Sequence, residues 1–231
     1  MLTNLFRFLG DALMVISRVF LLHKVWNSRS VSGLSLKTQA VYLLVYLCRY
    51  VDIRRIKYVN RSLGRLAINY LQIYNTTFKI FLTAYQLYVC YLIGIRYRKS
   101  YYGRFDSFPI TVLVGASCLI ALIISSRLFF IEDFLYTLSL ILEAVAILPQ
   151  LVMTQESEDC ESMTSKYIFF LGLYRLNYLI YFVIRKMAGE TVDMLMIFTS
   201  LIQTALYVDF FKVYYNYCIN KGNNFKSMIK N

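Results

Sequence analysis

The sequence predicts an all-α membrane protein: seven transmembrane helices built as two three-helix repeats joined by a linker helix. Composition carries the first half of that statement. Of 231 residues, 58% are hydrophobic and 16% charged, whereas soluble domains hold roughly 45–50% apolar and about 25% charged residues. Mean hydropathy is +0.53. Apolar run lengths supply the rest, because a bilayer crossing needs about 20 mostly apolar residues. With 9 Gly, 2 Pro and short polar breaks, the chain has room for seven such runs and no separate soluble domain.

The runs lie at about 4–25, 37–53, 69–94, 109–126, 130–152, 166–185 and 191–215. The first holds Arg7, Asp11 and Arg18 and lacks a basic leader followed by a clean apolar core and cleavage site, so it reads as a retained helix. A shift of 126 positions lays 21–50 over 147–176 without a gap, placing His23-Lys24 on Pro149-Gln150 and Arg49 on Arg175. Two parallel repeats produce such a match. Repeat one then spans about 4–94, the linker helix about 109–126, repeat two about 130–215, and the tail 216–231, all within one membrane domain 1–231.

Orientation follows from the lysines and arginines. Lys24, Arg29, Lys37, the group Arg96, Arg98, Lys99 and Arg104, and the tail lysines share one side, which the positive-inside bias makes cytosolic. The basic loop holding Arg54, Arg55, Lys57, Arg61 and Arg65 falls on the other. The N-terminus is therefore expected in the lumen and the C-terminus in the cytosol. The net charge of +12 is explained by these loops and by lipid headgroups, and no aromatic-basic nucleic-acid module is present. Five scattered cysteines make neither a disulfide framework nor a metal site, and a single histidine, His23, excludes a paired-histidine site.

Charge inside the apolar runs points to function, since an ionisable group at bilayer depth normally faces a bundle interior and has a partner. Glu143 and Arg175 are expected to pair. Arg7, Asp11, Met14 and Arg18 recur at helical spacing on one face; so do Tyr42, Tyr46, Arg49 and Asp52. A set of satisfied interhelical ion pairs is one reading. The other is a cavity in which Arg7, Arg49 and Arg185 exceed the nearby acids and bind an anionic ligand carrying several carboxylates, the groups that a planar guanidinium fork suits.

Six blocks carry a family resemblance: NLFRFLGD (4–11), W-x-S-R-S-x-S-G-L-S-x-K-T-Q (26–39), RYVD (49–52), LEAVAILPQL (142–151), TSKYIFFLGLYRLNY (164–178) and LYVDFF (206–211). The chain resembles the ER-lumen protein retaining receptors, the KDEL receptor family, over nearly its whole length. The resemblance implies a receptor of endoplasmic reticulum and Golgi membranes, with the PQ-loop/SWEET-like repeat plan. It would capture escaped ER proteins by a C-terminal KDEL- or HDEL-like tetrapeptide in the Golgi and release them at the more neutral pH of the ER.

The same resemblance implies roles by position. Arg7, Arg49 and Arg185 bind the ligand's carboxylates; Tyr50 and Tyr178 line the pocket; Asp52 and Asp133 meet the basic residue of the tetrapeptide; Tyr136 stands where the family has tryptophan. Glu143, Tyr174 and Arg175 form a conformational latch, Asp209 serves retrograde transport, and Lys221, Lys226 and Lys230 of the tail engage the COPI coat. Met14 occupies the position of the family's pH-sensing histidine, so the group that governs release here is open; an acid such as Glu143 is one choice. The segment 53–68 includes a basic insertion with the sequon Asn60-Arg61-Ser62. Besides its peptide ligands, the implied partners are membrane lipids and COPI, with no cofactor. A PQ-loop small-solute or amino-acid transporter is the alternative, supported by the repeat plan and Pro149-Gln150. Catalysis is not expected, because no metal spacing or nucleophile-base pairing occurs.

Overall fold

The computed structural model describes residues 2–50, 70–125, 131–157 and 162–214. Asp52, the basic insertion with its sequon, and the tail lysines Lys221, Lys226 and Lys230 lie outside the described residues. Within them the chain is all helical, without a strand: α1 (Leu2–Ser28), α2 (Leu36–Arg49), α3 (Tyr70–Tyr91), α4 (Ile110–Ile124), α5 (Ile131–Val145), α6 (Leu148–Ser157), α7 (Ser162–Met187) and α8 (Met194–Tyr214). Four stretches are long and apolar enough to cross a membrane: Ile73–Arg96, Ile131–Glu156, Lys166–Met187 and Met194–Lys212.

Local chemistry sets the helix ends. Ser35 caps α2 by accepting the Thr38 amide at 3.0 Å. The expected run 130–152 divides into α5 and α6, because Pro149 has no amide to donate and its ring crowds the carbonyl four residues back, at Val145. A turn at Ala146-Ile147 then places Pro149 in the first turn of α6, where the missing amide costs nothing. The helix α7 stops on Gly189, whose φ of +81° suits only glycine, with Glu190 N–H returned to the Arg185 carbonyl at 3.0 Å. Beyond α3 the helix widens into a π turn over Leu92–Arg96.

The core runs between α1 and α7, between α2 and α5, and along α8. It includes Leu21, Val41, Val45, Val89, Leu142, Ile147, Ile168 and Leu171. Outward faces are also apolar: Ile123 is 83% exposed and Ile131 73%. Apolar side chains on both sides of a helix are what a lipid-embedded bundle requires, since lipid and core are equally apolar.

One end of the bundle is closed by polar contacts. Lys24 is fully buried and donates to the Ser32 carbonyl and, at 2.7 Å, to Thr164 Oγ1. Gln150 receives the Ser35 amide at 2.9 Å, donates its side-chain amide to Gly33 O at 2.7 Å, and gives its own backbone N–H to Thr38 Oγ1 at 2.9 Å. Asp106 accepts from the Ser35 hydroxyl at 2.9 Å, the Lys37 amide at 3.2 Å and the Tyr101 hydroxyl. Burial and donation to Asp106 together raise the Tyr101 phenol above its ordinary value. The sequence places Lys24 among the basic residues that flank apolar runs; the structure buries it, because its stem follows the core stripe of α1 while its amine reaches oxygens of the neighbouring loop and α7.

Candidate functional site

Away from that seal the helices part around a cavity of about 350 Å³. The α1 stripe contributes Arg7, Asp11 and Met14, and α2 contributes Tyr46 and Arg49, with Tyr50 just beyond its end. From α3 come Tyr74, Asn75, Phe78, Lys79 and Leu82; from α5, Tyr136, Leu140 and Glu143. The remaining wall is Tyr174, Arg175, Tyr178 and Phe182 of α7 and Met196, Thr199, Ser200 and Gln203 of α8. Among the described residues, four cationic side chains thus line the cavity with two carboxylates.

Glu143 is the hub. One oxygen pairs with Arg175 and the other with Arg49, so a single buried carboxylate ties α5 to both α2 and α7. Arg49 also donates through Nε to Ser139 at 3.1 Å, leaving its Nη2 buried without an acceptor; Arg175 Nε is left the same way. The Arg175 guanidinium lies 4.3 Å from the centroid of the Tyr174 ring, a cation–π contact. Gln203 fixes the backbone beneath Glu143 by donating to its carbonyl at 3.0 Å.

A second cluster forms the opposite side. Asp11 accepts from the Tyr178 hydroxyl and, at 3.2 Å, from Tyr74. Arg7 donates to Asn75 Oδ1 at 3.0 Å. The approach of α1 to α7 here depends on Gly10, where an added Cβ would stand 2.7 Å from the Tyr178 ring. Lys79 sits 5.4 Å from the centroid of Tyr50, which in turn stacks on Tyr46 at 5.7 Å.

Of the residues singled out in the sequence, the structure brings Arg7, Arg49, Tyr50, Tyr136, Glu143, Tyr174, Arg175 and Tyr178 to this cavity. Arg185 is not among its lining; it pairs with Glu190 at 2.6 Å. Asp133 is exposed in the first turn of α5 and Asp209 is exposed on α8, both away from the lining. His23 is exposed, and Met14 lines the cavity at 5% exposure. Sequence reasoning left out Asn75, Lys79 and Tyr74. A signal was present: Asn75, Lys79, Leu82 and Gln86 repeat the spacing of Arg7, Asp11, Met14 and Arg18.

An all-helical bundle with membrane-length spans and a positively lined internal cavity defines a membrane protein with a ligand site among its helices. Comparison with known sequences narrows this. The model of the family "ER lumen protein retaining receptor" matches residues 30–185. The chain is 37% identical over 211 residues to the ER lumen protein-retaining receptor of Drosophila melanogaster, covering 91% of this chain and 93% of the relative. It is 36% identical over 223 residues to the Caenorhabditis elegans receptor erd-2.1, covering 96% and 98%. ER lumen protein-retaining receptor 2 of Gallus gallus is 34% identical over 215 residues, covering 91% and 93%. The chain belongs to the ER lumen protein retaining receptor family.

Proposed function

We propose that the protein is a sorting receptor of endoplasmic reticulum and Golgi membranes that binds C-terminal KDEL- or HDEL-like retention signals of escaped ER proteins and returns them. The observation that carries this reading is the Glu143 bridge. A ligand carboxylate arriving at Arg49 meets the unused Nη2 and competes with Glu143 for the guanidinium. Glu143 then retains Arg175 alone, and α2 loses its ion pair to α5 while Arg49 keeps its hydrogen bond to Ser139. Binding and conformational change are thereby one exchange of carboxylates, with Glu143, Tyr174 and Arg175 as the latch.

In the complex Arg7 and Arg49 hold carboxylates, Tyr50, Tyr136 and Tyr178 form walls, and Asp52 and Asp133 meet the basic residue of the tetrapeptide. Arg185 joins as third fork by leaving Glu190, an exchange its partial exposure permits. Release does not use a histidine at position 14, and the protein performs no catalysis. Asp209 serves the return step, and Lys221, Lys226 and Lys230 meet the COPI coat on the cytosolic side.

The architecture behind this function is seven crossings in two three-helix repeats with α4 as linker, N-terminus lumenal and C-terminus cytosolic, in contact with membrane lipids. Several contacts support the repeat plan. The 126-residue shift turns the packing of α1 on α7 into that of α5 on α2, and α2 on α3 into α7 on α8. It also turns the contact of Lys24 with Thr164 into that of Gln150 with Thr38. The transporter alternative has no support among the relatives, which are named receptors.

The test is equilibrium binding of labelled peptides ending in KDEL, HDEL and DDEL, with an amidated control, from about pH 5 to 7.5 across the range of histidine and perturbed carboxylates. Binding that requires the free carboxylate is expected. No binding to any variant, with saturable solute flux in proteoliposomes, overturns the receptor reading.

A further inference from the structure

Arg18 is a buried cation that the site described above does not use. It lies one turn beyond Met14 on the cavity face of α1 and is 2% exposed. No carboxylate among the described residues pairs with it. Its surroundings are tyrosines: the guanidinium stands 5.8, 6.0 and 5.6 Å from the ring centroids of Tyr42, Tyr46 and Tyr85, with Tyr167 beside them. One nitrogen donates to the Tyr46 hydroxyl, and Tyr85 donates to the Arg18 carbonyl at 2.9 Å. Nε and Nη1 are buried with no acceptor.

A buried charge without a counter-ion is costly, and ring faces offset that only in part. Packing alone would be served by a methionine or leucine. Unlike a lysine or histidine, the guanidinium cannot shed its proton to escape the cost. Its position gives the charge an outlet. Tyr46, which accepts its hydrogen bond, and Met14, one turn away, both line the cavity. Among the described residues the lining already holds more guanidinium groups than carboxylates, and Arg18 adds a further cation behind the wall. In a water-poor interior that charge acts across the wall on whatever anion occupies the cavity.

We propose that Arg18 is a fixed electrostatic determinant of anion affinity in the cavity, a permanent cation that favours multiply charged carboxylate ligands without touching them. This rests on the receptor reading for the identity of the ligand but not for its charge. One unit charge acting over roughly two turns of packed helix, at an effective dielectric of about 20, is worth on the order of tenfold in affinity per ligand charge.

The full-length chain in detergent is compared with Arg18→Met, Arg18→Lys and Arg18→Gln, the last standing in should Arg18→Met fail to fold. The probes are a KDEL-terminated peptide, its C-terminal amide, and citrate. Neutral variants are expected to weaken the free-acid peptide and citrate on the order of tenfold, to weaken the amide less, and to keep thermal stability at or above the parent. Arg18→Lys is expected to bind as the parent does. Unchanged affinity in the neutral variants overturns the proposal, and so does equal loss in Arg18→Lys or equal loss for acid and amide, because a purely structural role would give either. A parent that binds citrate but no peptide sinks the receptor reading alone, with the effect of Arg18 still measured on citrate. A parent that binds neither overturns both.

Discussion

At the scale of single residues, the cavity lining has more guanidinium groups than carboxylates among the described residues. Arg49 shows this best: one nitrogen bonds Ser139, one bonds Glu143, and one has no acceptor. Arg49→Ala is expected to reduce affinity for a free-carboxylate peptide by roughly 2–5 kcal/mol, the scale for truncating one partner of a buried charge pair; titration with labelled peptide measures it, and unchanged affinity removes the carboxylate-clamp role. Gly10→Ala drives a methyl into the Tyr178 ring and should break the Tyr178–Asp11 contact. Peptide affinity should fall while the chain still folds, as size-exclusion behaviour would report. Met14→His introduces a titrating group into the lining. Protonation below a pH of about 6.5 adds a cation facing an anionic ligand, so binding should tighten more steeply as pH falls than in the parent. Coincident pH profiles would show that position 14 has no influence.

Helices are joined in this protein by polar contacts at both ends of the same bundle, one set lining the cavity and one set sealed. Gln150 belongs to the sealed set, and it reaches Ser35 and Gly33 because Pro149 interrupts the run and restarts it as α6. Gln150→Leu leaves the Ser35 amide and Gly33 carbonyl buried without partners. A loss of about 1–3 kcal/mol per group is expected, visible as a lower unfolding temperature in detergent. Helix periodicity exposes the stripes on α1 and α2 but not the break in the fifth run, because an apolar window spans the proline without interruption. The stripe on α3 is equally legible in its spacing.

Across the whole molecule, the repeat plan and the receptor reading make a topological prediction. With the N-terminus in the lumen and seven crossings, an N-terminal epitope in sealed Golgi vesicles should resist added protease, and a C-terminal epitope should be digested. The opposite pattern would invert the assignment of both charged loops. The alignment of 21–50 on 147–176 already contained the equivalence of Lys24 with Gln150 and of Thr38 with Thr164. What it could not contain was that Lys24 reaches Thr164 and that Gln150 reaches Thr38.

By itself the sequence determined the all-helical membrane class, the helix boundaries to within a few residues outside the divided fifth run, the charged stripes and the family blocks. These are local or compositional properties: the 3.6-residue period and the length of an apolar run are written in neighbouring residues. Beyond the expected Glu143–Arg175 pair, tertiary structure alone decided the partnerships. Glu143 serves Arg49 and Arg175 together; Arg185 turns to Glu190 outside the cavity lining; and Arg18, on the same stripe as Asp11, is enclosed by tyrosines instead of a carboxylate. Each depends on which helices pack together and at what height. Buried charges are bound by contact distances of a few ångströms, and only the packed bundle sets those.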